Sequence, residues 1–110
     1  MKVAISLGLV LLAALVAAPV VAGEPASRAK RVEATNFEFT PKTVTVAKGD
    51  RVSWASTEGS HTVTFKRGLD EAISAGGAPA SKKFRKTGTF RYVCSFHLSS
   101  AGMKGKVVVK

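Results

Sequence analysis

From Val32 to the C-terminus, apolar and polar residues alternate in short runs, and none shows the 3.6-residue spacing of an amphipathic helix. Val32, Ala34, Phe37 and Phe39 are separated by polar residues, with a slip of phase near Asn36 that predicts a bulge or bend. Thr43, Val44, Thr45 and Val46 alternate and are all β-branched, which favours extended backbone. Val52 and Trp54 share one face of the next run. His61, Val63 and Phe65 share a face of another, as do Phe90, Tyr92 and Cys94. A valine-rich run, residues 105–110, closes the chain. Residues 82–86 are charged enough to read as an edge strand that resists pairing with other chains. Residues 67–81 surround Leu69 and Ile73 with glycine and proline, which predicts a single helical turn or an irregular loop. Turn residues such as Lys48-Gly49-Asp50 separate the runs. About seven to eight short strands without a long helix argue for an all-β fold, an antiparallel sandwich or barrel.

A different pattern precedes these strands. Apolar residues fill most of positions 3–18 after Lys2, Pro19 ends the run, and Val20-Val21-Ala22 offers small residues for cleavage. Residues 1–22 therefore read as a secretory signal, expected to be removed, with retention as an anchor the alternative. The run is shorter than the ~20 residues that a membrane span needs. Residues 23–31 lack apolar periodicity and are expected to form a flexible tail. Residues 32–110 make one domain.

Export changes the meaning of the composition. The formal net charge is +10, and losing the signal removes only Lys2 from that count, leaving +9. Such a charge can signal nucleic acid, but export removes that partner, and the basic residues are spread along several strands instead of clustering with aromatics. An acidic redox partner fits better, with a solvated face or a membrane surface as other readings. A small exported domain usually relies on disulfides, yet this chain has one cysteine. A bound metal would protect that thiol and brace the fold.

The candidate chemistry gathers in Tyr92-Val93-Cys94-Ser95-Phe96-His97 and the following residues to Gly105. This stretch holds the only cysteine, one of the two histidines and, at Met103, the only methionine besides the initiator. Cys94 ends an inward-facing alternation, His97 follows three residues later in the turn, and Met103 lies beyond a short loop. His61, at the start of another strand, completes a set of one thiolate, two imidazoles and one thioether. That set favours copper in a trigonal site with a long axial sulfur. Zinc also accepts Cys and His. A Cys/His nucleophile pair is the enzymatic reading, but no orienting third group or oxyanion pocket is evident, so no enzyme is expected.

At these residues the chain closely resembles the small blue copper proteins, the cupredoxins of the plastocyanin, amicyanin and pseudoazurin type. The resemblance runs from Val32 to Lys110 and includes Phe39-Thr40-Pro41, Lys48-Gly49-Asp50 leading to Trp54, Gly59-Ser60-His61-Thr62-Val63, and Cys94 through Met103. It implies a Greek-key β-sandwich holding one type 1 copper ion, with His61, Cys94 and His97 as strong ligands and Met103 as the weak axial one. It also implies a periplasmic one-electron carrier cycling between Cu(II) and Cu(I), with a copper-delivery protein as the alternative. His97 would be the exposed ring through which electrons pass. The expected partner is a cytochrome or a copper or quinone enzyme with an acidic docking surface, met by a monomer. Leu98, Ala101 and Gly102 would form an apolar patch, rimmed by Lys66, Arg67 and Lys104. The chain departs from its relatives in three places. The interval from His97 to Met103 is longer. Thr62 stands where asparagine is common. Val93 replaces a tyrosine that serves plastocyanins as a remote electron port.

Overall fold

Alternating inward residues become strands wherever the partner face is apolar, and residues 29–110 of the computed structural model form nine of them. The signal reading of residues 1–22, and the tail from 23 to 28, lie outside the described residues. The strands are β1 (Ala29–Thr35), β2 (Glu38–Thr40), β3 (Thr43–Val46), β4 (Arg51–Ser56), β5 (Ser60–Phe65), β6 (Asp70–Ser74), β7 (Ala80–Lys83), β8 (Gly88–Val93) and β9 (Lys104–Val109). One helical turn, α1 (Leu98–Ala101), precedes β9. Two sheets face each other, ordered β2-β1-β4-β7 and β3-β9-β8-β5-β6. Most neighbours are antiparallel, but β1 pairs with β4, and β3 with β9, in parallel. Those pairs join strands distant in the chain, where no hairpin imposes direction. The sandwich is therefore all-β, as expected, with two mixed sheets.

Two local expectations are corrected, and the alternative left open at Asn36 is decided. β1 begins at Ala29, so its backbone takes up residues 29–31 of the predicted tail by pairing with β4 from Ala29 opposite Arg51. The slip near Asn36 is a tight turn between β1 and β2, and no bulge is needed. It leaves Phe37 half exposed while Phe39 returns to the core. Residues 67–81 hold β6 and the start of β7, because pairing with β5 and β4 supplies what local propensity lacks. The charged segment expected at an edge does lie there: β7 borders the four-stranded sheet.

Trp54, Phe65, Phe39 and Tyr92 occupy the centre between the sheets, with Tyr92 ringed by the other three at 4.8–5.3 Å. Gly105 lies opposite Tyr92 on β9, and a methyl group added there would collide with the phenol. Only glycine lets the sheet close over this large ring. Burial pushes the Tyr92 phenol from 10.0 up to about 12; the nearby Trp54 indole offsets a small part of this, without a hydrogen bond of good geometry. Above pH 10 the unfolded phenol ionises while the buried one keeps its proton, so stability falls as pH rises from about 10 to 12. Two pK units correspond to at most about 3 kcal/mol. Denaturant unfolding across that range should show the loss in wild type and lack that component in Tyr92→Phe.

Candidate metal centre

β5 starts at one end of the sandwich and β8 finishes there, which brings the first histidine to the cysteine. His61 is the second residue of β5, its side chain fully buried. Cys94 follows the last residue of β8 and is also fully buried. The chain then turns, with the His97 N–H donating to the Cys94 carbonyl at 3.1 Å. His97 is partly exposed and sits at the start of α1.

The sulfur of Cys94 lies 3.4 Å from His97 Nδ1 and 3.9 Å from His61 Nδ1. All three donor atoms lie within 4.8 Å of one another. Bonds of about 2.0 Å to nitrogen and 2.3 Å to sulfur at trigonal angles place N and S about 3.7 Å apart. The two observed sulfur–nitrogen spacings straddle that value, so the donor set suits one metal ion.

The tautomer of His61 is set by its surroundings. Its Nε2 lies 2.6 Å from the Glu58 carbonyl, which can only accept, so Nε2 bears the proton and Nδ1 offers its lone pair to the centre. The Thr62 backbone N–H points at the sulfur from 3.4 Å. Thr62 also ties the two ligand segments together, as its hydroxyl accepts the Ser95 N–H at 2.7 Å and lies 3.1 Å from Ser95 Oγ. Thr64 supports that hydroxyl from 3.0 Å and donates to Asp70 at 2.9 Å.

The long interval before Met103 is taken up by helix. A helical turn advances only about 1.5 Å per residue, so it lengthens the chain without carrying its end away. Ala101 N–H donates to the His97 carbonyl, and Gly102, in the left-handed region at φ 63°, caps α1 by donating to Leu98. The Met103 carbonyl then accepts the Cys94 N–H at 3.0 Å, and the methionine side chain is 1% exposed. All four predicted residues thus gather at one end of the sandwich.

The surface there differs from the expectation. Around His97, Phe37 is 50% exposed, Phe96 56% and Leu98 42%. Phe37 reads in the sequence as one more inward strand residue, and no local signal sends it to His97. Glu58 likewise looks like a loop polar residue. Of the expected basic rim, Lys104 pairs across from Val93, beside Cys94. Lys66 and Arg67 do not rim the patch. They follow the far end of β5, about 16 Å of strand from His61 at roughly 3.3 Å per residue.

A β-sandwich whose strand ends converge one cysteine and two histidines is a cupredoxin. The chain belongs to the plastocyanin/azurin family of copper binding proteins, whose model matches residues 26–110. It is 33% identical over 85 residues to chloroplastic plastocyanin of Tetradesmus obliquus, covering 66% of this chain and 58% of that protein. It therefore spans less than two thirds of that relative. Amicyanin-alpha of Methylorubrum extorquens is 33% identical over 86 residues, with coverage of 72% and 70%. Oxidized plastocyanin of Dryopteris crassirhizoma superposes with a TM-score of 0.63 at 26% identity, covering 73% of this chain and 99% of that one. Copper is accordingly the metal this centre is built for.

Proposed function

We propose that the protein is an exported, periplasmic one-electron carrier in which His61, Cys94, His97 and Met103 would hold one copper ion. The observation that carries this reading is the convergence of three donors within 4.8 Å, two buried and one reaching an apolar surface. When bound, copper supplies a Cu(II)/Cu(I) couple. The chain's own part is to hold both geometries alike: the ligands sit on strand ends and a capped turn, so little rearranges between oxidation states. The sandwich excludes water from His61, Cys94 and Met103. His97 is the ring that reaches the surface, and a partner docked over Phe37, Phe96 and Leu98 would lie nearest the metal. Such a carrier turns over no substrate. Among the described residues no helix is long and apolar enough to cross a membrane.

Charge directs the partner. Arg91 lies directly opposite Lys106 on the outer face of β8 and β9, and Lys104 opposite Val93. With Lys42 they line a groove of ≈ 400 Å³ beside the Cys94 strand. Like charges across a ladder cost stability, and an acidic partner surface would offset that cost. Weak redox encounters use small interfaces steered by such charge. The test has two parts. Cu(II) addition should produce an intense thiolate-to-copper band and a reversible potential. Electron transfer with an acidic redox partner should slow with added salt and with Lys104→Glu. A colourless centre that hands Cu(I) to an acceptor would instead establish copper delivery.

Met103 should tune the metal more than retain it, because an axial thioether bond is long and weak. Met103→Leu is expected to keep copper and raise the reduction potential. Voltammetry and the visible spectrum check this; an unchanged potential and spectrum would take Met103 off the ligand list.

A further inference from the structure

The two imidazoles of the centre are held in different ways. His61 is fully buried, and its Nε2–H is fixed on the Glu58 carbonyl. His97 is partly exposed, and among the described residues its ring finds the Cys94 sulfur, 3.4 Å from Nδ1, within hydrogen-bond range. A single contact of that kind leaves the ring free to tilt and swing. The groups that pack it are aromatic. The Phe37 ring lies 4.7 Å away, centroid to centroid, tilted by 56°, with His61 at 5.1 Å and the edge-on Phe96 at 6.3 Å. Phe37 is the nearest of the three.

Phe37 reaches His97 from the opposite sheet, on the turn between β1 and β2. That turn is tied to the loop before His61. Asn36 N–H donates to Glu58 Oε1 at 3.0 Å, and Thr57 N–H donates to the Ala34 carbonyl at 3.0 Å. Asn36 Oδ1 also closes on Gly59, where an added methyl would stand 3.1 Å from it. One residue therefore reaches both rings: the Glu58 carbonyl holds His61, and its carboxylate holds the turn that presents Phe37 to His97.

We propose that Phe37 and Glu58 are positioning residues of the metal centre, Phe37 bracing the His97 imidazole and Glu58 coupling that brace to the His61 loop. The inference rests on both histidines being ligands. A half-exposed phenylalanine on a turn adds little to the core, so its place against His97 is where it acts. Aromatic packing then does for the exposed ligand what a carbonyl does for the buried one, while leaving its outer edge open to a partner.

The test uses Zn(II), which occupies Cys/His sites without redox chemistry. Zinc release to a chelator, the ring resonances of His61 and His97, and the melting of the metal-free protein are followed in wild type, Phe37→Ala, Phe37→Tyr, Glu58→Ala and Glu58→Gln. Loss of an outer-shell partner typically weakens a site by 10–100-fold, so Phe37→Ala should release zinc roughly tenfold faster. It should broaden the His97 signals and leave those of His61 sharp. Phe37→Tyr should restore the wild-type behaviour. Glu58→Ala should reproduce the loss, whereas the Glu58→Gln amide oxygen still accepts the Asn36 N–H and should not. Wild-type release and His97 signals in Phe37→Ala would overturn the brace, and so would a loss that merely follows a lowered metal-free melting point. Wild-type behaviour in Glu58→Ala would overturn the coupling. A wild-type zinc complex lacking either histidine would overturn the ligand assignment itself.

Discussion

Cys94→Ser is expected to abolish the intense thiolate-to-copper absorption altogether and to weaken Cu(II) binding by at least about 100-fold, beyond the range typical of outer-shell losses. Cys94 is the sole cysteine, so no other soft anionic donor can replace it. The two imidazoles remain, but a serine hydroxyl stays protonated at neutral pH and offers only a weak neutral oxygen in place of the thiolate. The variant should still fold. Serine is slightly smaller than cysteine, and the Thr62 N–H that now faces the sulfur at 3.4 Å can donate to the new hydroxyl. Burying that hydroxyl costs on the order of 1–3 kcal/mol at most if it is left unpaired. Visible absorption and a copper titration, with circular dichroism of the metal-free variant as control, decide the matter. Retention of the full band would sink the assignment of the centre.

Copper removal should have the second largest effect. A metal that binds only the folded protein stabilises it by about 2.7 kcal/mol at 100 times its Kd and by about 4.1 kcal/mol at 1,000 times. For a domain of this size each kcal/mol moves Tm by roughly 4–8 °C, so the copper form should melt about 10–30 °C above the metal-free form. The sheets themselves should survive chelation. Val32, Val52, Trp54, Val63 and Val107 are completely buried between the sheets and owe nothing to the metal. Calorimetry with and without a chelator, beside far-ultraviolet circular dichroism, tests both halves. Equal melting temperatures would contradict the prediction.

How much of this was legible beforehand follows from the range of the interactions. Most strands were readable, because alternation is local and each inward residue needs only an apolar facing layer. β6 was not: Asp70-Glu71-Ala72-Ile73-Ser74 contains one strongly apolar residue, and its extended form depends on the ladder with β5. Glycine and proline in residues 67–81 suggest a helical turn or an irregular loop there, but the helical turn forms at Leu98–Ala101. Leu98-Ser99-Ser100-Ala101 has no apolar period, and it winds because both of its ends are fixed, at His97 and at Met103.

The candidate site shows the same division. Cys94, His97 and Met103 lie within ten residues, and a turn after a strand brings such neighbours together almost regardless of the fold. His61 stands 33 positions from Cys94; as the only other histidine it completes the donor set on paper, and only the structure puts the two side by side. Residue types by themselves determined the metal preference, the all-β class and the absence of an internal disulfide, since those depend on donor chemistry, alternation and the number of thiols. Only the tertiary structure decided which groups stand behind the ligands. Glu58, Phe37 and Thr62 act through a carbonyl, a half-exposed ring and a hydroxyl aimed at the turn after β8. Each of those contacts spans segments that are distant along the chain or are fixed by loop geometry, and nothing in local hydropathy records where a chain will fold back upon itself.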